Sequence, residues 1–90
     1  MKKKREKLEV IYDILNIIRH NKNSIKPTPL LRHSNLSSER FKEYFSELLE
    51  RGFIREIENG DGKLITLTDK GFIYLEKYKT LISFIEDFGL

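Results

Sequence analysis

The stretch "SSERFKE" places Ser37, Ser38, Arg40, Lys42 and Glu43 within seven consecutive residues. Hydroxyls, a guanidinium, an ammonium and a carboxylate are hydrogen-bonding and charge-pairing groups, suited to recognising a polar surface. Bond-making chemistry needs converging groups that the rest of the chain does not supply. There is no cysteine, which removes disulfides, thiolate zinc sites and a cysteine nucleophile. His20 and His33 have no partner at ligand or triad spacing and read as helix-end or surface residues. Gly60 and Gly62 are not a phosphate loop, because no helix follows them and no Lys-Ser/Thr pair follows Gly62. The expectation is a non-enzyme with no metal and no cofactor.

Charge sharpens that expectation. The net charge of +3 is unevenly placed: the first 22 residues hold seven Lys/Arg against three acids, chiefly in Lys2, Lys3, Lys4, Arg5 and Lys7. A clustered basic arm attracts polyanions better than the same charge spread thinly. From Ser37 to Arg51 the balance reverses, with Glu39, Glu43, Glu47 and Glu50 against Arg40, Lys42 and Arg51. Ninety residues make one domain with a single small core. The apolar runs are too short to span a bilayer, and no signal-type apolar stretch follows the basic N-terminus. A cytoplasmic protein with no membrane partner is expected.

The elements that position these groups follow from periodicity. A basic arm (1–5) leads into helix 1 (5–20), where Leu8, Ile11, Leu15 and Ile18 repeat at helical spacing and Val10, Ile14 and Ile17 widen the stripe. Helix 2 (27–34) starts around Pro27 and Pro29, with Thr28 a candidate cap before Pro29. Asn35 tolerates the left-handed backbone of a tight turn, and Leu36 is the apolar residue such a turn covers. Ser37 caps helix 3 (37–51), whose Phe41, Tyr44, Phe45 and Leu48 share one arc, and Gly52 supplies a left-handed stop. A wing hairpin (53–68) follows, with Asn59-Gly60 and Asp61-Gly62 both open as its tight turn. A last helix (69–88), capped by Thr68, carries Phe72, Leu75, Tyr78, Ile82 and Ile85 plus Tyr74, Leu81, Phe84 and Phe88. Steps of three and four residues from Leu75 to Ile85 describe a coiled-coil seam, and the apolar circumference exceeds what one small domain can cover. The fold class expected is mainly α with a β-hairpin wing: a winged helix-turn-helix plus a C-terminal dimerisation helix.

"NLS", "FKEY", "LLERGFI" and "LTDKG" resemble the archaeal winged-helix DNA-binding proteins of about 10 kDa. The resemblance spans roughly Leu8 to Phe88. It rests most specifically on Asn35-Leu36-Ser37, Phe41-Lys42 with Tyr44, Gly52-Phe53-Ile54, and Leu67-Thr68 with Lys70-Gly71. It implies DNA binding and a homodimer joined by antiparallel pairing of the C-terminal helices. The last-helix residues Leu75, Tyr78, Leu81, Ile82, Ile85 and Phe88 are the interface expected.

An acidic third helix can still serve such a function. Ser37, Ser38 and Lys42 lie on the N-terminal part that meets base edges in helix-turn-helix docking, with Arg40 on the other flank. Glu43 can accept a hydrogen bond from cytosine N4. Phosphate-neutralising charge is then expected from Lys2, Lys3, Lys4 and Arg5, from Arg32, and from Arg55 and Lys63 on the wing. The function expected is a sequence-selective regulator that binds double-stranded DNA as a homodimer. The runner-up is a winged helix used for protein contacts. A chromatin-associated protein ranks third, because +3 per chain is little charge for non-specific coating.

Overall fold

The computed structural model describes residues 7–90, so the arm Lys2–Arg5 lies outside the described residues. The elements are α1 (Lys7–His20), α2 (Pro27–Ser34), α3 (Ser38–Glu50), β1 (Ile54–Asn59), β2 (Gly62–Leu67) and α4 (Asp69–Asp87). Three helices, an antiparallel hairpin and a further helix form a winged helix. The core is where the apolar stripes meet: Val10, Ile14, Leu15 and Ile18 of α1, Leu30 of α2, Leu48 of α3, Ile65 of β2 and Leu75 of α4.

Helix ends show how short-range chemistry sets the frame. α1 stops without a glycine: Lys22 and Asn23 take left-handed φ values of 60° and 57°. Asn23 then ties α1 to the wing, its Oδ1 accepting the Leu67 N–H at 2.8 Å. Beside it, Ile25 exchanges two backbone hydrogen bonds with Ile65, of 3.2 and 2.8 Å. Thr28 does not cap α2. The helix begins at Pro27, behind Lys26 with no side-chain cap, because the first helical residue needs no N–H partner and suits proline.

The α2–α3 turn is closed by its own polar groups. Asn35 sits at φ 64°, Ser34 Oγ donates to the Leu31 carbonyl at 2.7 Å, and the same oxygen accepts the Leu36 N–H. Ser37 Oγ accepts the Arg40 N–H at 3.2 Å as the cap of α3. At the other end Gly52, with φ 80°, donates to Leu49, and Phe53 donates to Leu48 at 2.9 Å. These two bonds are the Schellman pattern that satisfies the last carbonyls of a helix.

The hairpin turn differs from both expected pairs. Asn59 lies opposite Gly62, leaving Gly60-Asp61 as the two-residue connection. Both have negative φ, so this is not a type I′ turn. Asn59 Oδ1 accepts the Asp61 N–H at 2.9 Å, and Gly62 takes the positive φ, 117°. The asparagine side chain stabilises the turn from its first position rather than from its centre.

α4 is fastened to the α3–β1 junction by the Leu-Thr-x-Lys-Gly element. Leu67 is buried. Thr68 Oγ1 accepts the Gly71 N–H at 3.2 Å while its hydroxyl donates to the Gly52 carbonyl. Lys70 Nζ donates to the Arg51 carbonyl at 2.7 Å and lies 4.8 Å from the Phe53 ring centroid. A Cβ at position 71 would run into the Phe53 carbonyl oxygen, which explains the glycine.

One expected interface residue is not at a free surface. Leu75 is 1% exposed in the single chain and belongs to its own core. The seam reading fails there because the face of α4 that carries Gly71 and Leu75 packs on the domain, while Phe72 and Ile73 on its other sides are 39% and 52% exposed.

Candidate nucleic-acid interface

The outward side of α3 is built from residues that the core does not use. With Phe41 and Leu48 buried and Tyr44, Phe45 and Leu49 packed on the core, Ser38, Glu39, Arg40, Lys42, Glu43, Ser46 and Glu50 are left exposed. Ser38 and Lys42 sit on one flank, next to the cap Ser37. Arg40, on the other flank, is held along its own helix. Its guanidinium lies 5.7 Å from the Tyr44 ring centroid, and its Nη2 is 3.5 Å from the Tyr44 hydroxyl.

The remaining expected cations lie on other elements. Arg32 is exposed in the last turn of α2. Arg55 is exposed on β1, opposite Thr66. Lys63, at the start of β2, makes a loose ion pair of 3.8 Å with Glu56. The chain thus presents a hydroxyl-and-lysine flank on α3 with cations on the preceding helix and the wing. Lys2, Lys3, Lys4 and Arg5 lie outside the described residues. No group of three or more candidate metal-ligating side chains occurs among the described residues. No described helix is long and apolar enough to cross a membrane.

A charge cluster at the back of α3 was only half visible in the sequence. Glu47 Oε2 receives both Arg51 Nε at 2.8 Å and Lys7 Nζ at 2.9 Å. Those hydrogen bonds, first from Lys7 and then from Arg51, hold the Glu47 carboxyl below its usual value. The i, i+4 partner is legible from spacing. Lys7 is not, because it stands forty positions away and only the tertiary fold brings the start of α1 to the side chain of Glu47. Glu47 therefore does not confront a ligand as a bare charge. Glu39, Glu43 and Glu50 have no ion-pair partner among the described residues, and Glu43 lines a shallow cleft with Lys7, Arg40, Tyr44 and Glu47.

Farther along, α4 presents a surface of the opposite kind. Its buried residues are Gly71 and Leu75. Tyr78 stacks on Tyr12 at 4.6 Å between ring centroids. Beyond it, Leu81, Phe84 and Phe88 are 42%, 53% and 66% exposed, with Ile82 and Ile85 half-buried.

Comparison with known proteins agrees with this architecture. The chain is 32% identical over 82 residues to the uncharacterized protein MJ0290 of Methanocaldococcus jannaschii, covering 91% of this chain and 36% of that protein. It thus spans about a third of the length of that curated relative. Among solved structures, Sso10a-2, a DNA-binding protein from Sulfolobus solfataricus, superposes with a TM-score of 0.75 at 20% identity over 93% of this chain and 85% of that one. A winged-helix DNA-binding protein from STIV gives 0.75 at 22% identity over 88% and 91%. The PcaV transcriptional regulator from Streptomyces coelicolor gives 0.74 at 19% identity over 86% and 58%. At such identities the likeness establishes the fold, and it matches the resemblance to small archaeal winged-helix proteins read from the sequence. The family profile described as winged helix-turn-helix covers residues 4–86, and with the closed α2–α3 turn and the hairpin that follows, the chain belongs to that family.

Proposed function

We propose that the chain binds double-stranded DNA as a homodimer and acts as a sequence-selective transcriptional regulator, associated with DNA in the cytoplasm. The observation that carries the reading is the exposed Ser37, Ser38 and Lys42 flank at the start of α3, in the second helix of a helix-turn-helix. In that motif the N-terminal residues of the second helix contact base edges. Arg32, Arg55, Lys63 and the arm Lys2–Arg5 provide phosphate contacts, which position a protein without carrying sequence information. The dimer is supported by the apolar second half of α4, where Leu81, Phe84 and Phe88 stand in solvent in the single chain. Tyr78, Leu81, Ile82, Ile85 and Phe88 form the proposed interface, without Leu75.

A gel-shift assay against a random duplex pool at low salt, followed by selection of bound sequences, tests the reading. A common motif in the selected DNA is expected. Binding of every duplex alike, with no motif enriched, would favour the chromatin-associated reading. Absence of binding to any duplex at low salt would leave a protein-contact winged helix. That second reading draws support from Glu39, Glu43 and Glu50, exposed without ion-pair partners among the described residues.

A further inference from the structure

We infer that His20 and His33 form a phosphate-binding site at the junction of α1 and α2, one that gains its charge as pH falls. With the DNA backbone as the source of the phosphate, the inference rests on the DNA-binding reading above. The two histidines are thirteen positions apart, and each stands in the last turn of its own helix. The fold brings them to the walls of one open cleft of about 310 Å³, completed by Asn16, Ile17 and Asn21. His20, His33 and Asn21 are exposed, while Asn16 and Ile17 are half-buried.

This cleft is built from donors. A protonated imidazole offers two N–H groups and a carboxamide two more, and no carboxylate lines the walls. Asn16 Oδ1 already accepts Arg19 Nη2 at 2.6 Å, so its amide N–H groups are what it can offer a ligand. Between Asp13 and Glu39 the chain has no acid, and it carries Arg19, Lys22, Lys26 and Arg32 there. Arg19, Lys22 and Arg32 each adjoin a lining residue in sequence. No residue of α3, the hairpin or α4 lines the cleft. The nearest acid along α1 is Asp13, two turns before His20 on the same side. Its distance along the axis is about 10 Å, about one Debye length at 0.1 M salt. These surroundings suit an oxyanion. A metal ion would meet the same cations, and no group of three candidate ligating side chains occurs among the described residues.

Histidine is the side chain that ordinarily changes charge between about pH 8 and pH 5. The carbonyl ends of α1 and α2 favour the imidazolium form, and a bound phosphate favours it further. The complex then holds more protons than the free chain, so affinity rises as pH falls.

The experiment is an NMR titration of the histidine ring protons in an untagged chain, which has two histidines. It is run in phosphate-free buffer, with inorganic phosphate, and with a short duplex. The duplex should move both ring titrations to higher pH. The same movement with inorganic phosphate alone would support the site with a free anion as its ligand. No movement with either would overturn the inference. Salt dependence of duplex binding, read by fluorescence anisotropy at pH 6 and pH 8, gives a second measure. On going to pH 6 the log–log slope should steepen by about 0.9 for each histidine that meets a phosphate. His20→Gln with His33→Gln should abolish that steepening, and His20→Lys with His33→Lys should bring the steeper slope to pH 8. Equal steepening in the glutamine variant would overturn the inference while DNA binding stands, leaving the α-amino group as the titrating one. No duplex binding by wild type at either pH would end the DNA-binding reading, and the inorganic-phosphate titration would then decide the site alone. Should thermal melting show the double variant unfolded, the two single variants decide, each losing one such increment.

Discussion

α3 and α4 begin alike and end differently. Each starts at a hydroxyl cap, Ser37 or Thr68, and each sends an apolar side chain from its first half into the same core, Phe41 or Leu75. α3 keeps charged and hydroxyl side chains on the face it leaves outside, which water solvates well. α4 leaves Leu81, Phe84 and Phe88 outside, which water does not. Exposure on α3 thus needs no partner to be stable, whereas exposure on α4 costs apolar surface that a partner would cover. The contrast is the physical basis for the division proposed above, with DNA on α3 and a second copy of the chain on α4.

The largest expected effect separates the two halves of α4. Leu75→Ala should destabilise the fold by about 2–5 kcal/mol, because Leu75 fills the core of the single chain. Ile82→Asp together with Ile85→Asp should leave a folded chain that light scattering reports as a monomer, with a melting temperature no longer dependent on concentration. Wild type scattering as a monomer at high micromolar concentration would end the dimer proposal.

On α3, Lys42→Ala should reduce preference for a selected site by about 1–3 kcal/mol if its ammonium reads a base. Glu43→Gln distinguishes the two roles of the acidic face. Repulsion alone predicts tighter binding to every duplex. A cytosine contact predicts weaker binding to the selected site while non-specific affinity rises. Titrations against selected and scrambled duplexes decide between them.

The two caps should differ in turn. Thr68→Ala removes both a cap and the hydroxyl donor to Gly52, so about 1–2 kcal/mol of stability should be lost. Ser37→Ala removes a single cap bond at an exposed position and should cost less, about 0.5–1 kcal/mol. Chemical denaturation of the two variants measures the difference, and equal losses would show that the Gly52 contact adds nothing.

The smallest effect is acid dependence. Glu47 has a folded-state pKa below its ordinary 4.5, so its contribution is complete above that value and disappears as pH falls through the folded value. Glu47→Gln should therefore melt below wild type near neutrality, and the gap should close in acid. A gap independent of pH would show that the ion pairs with Lys7 and Arg51 do not stabilise the fold.

Most elements were legible because their signals are local. Leu8 to Ile18 repeats at helical spacing, Asn35 marks a left-handed turn, Ser37 and Thr68 cap helices, and Gly52 ends one. Each rests on backbone sterics or on hydrogen bonds spanning a few residues. The hairpin was legible and its turn was not, since "NGDG" holds two plausible pairs. Thr28 misled for a similar reason, because two prolines offer two starting points for one helix.

The sequence by itself determined which residues are apolar, which helices are amphipathic, and where each begins and stops, since these depend on neighbours three or four positions away. Tertiary structure alone decided what each face meets. Periodicity marked Leu75 as apolar on one side of a helix, and packing put that side into the core. Glu47 and Arg51 were a visible pair, and Lys7 joined them only when the tertiary fold brought the start of α1 to them. Thr68 announced a cap, and the chain path from α3 into β1 turned it toward Gly52. The physical reason is that side-chain period fixes direction about a helix axis, while the identity of the partner depends on how separate helices pack.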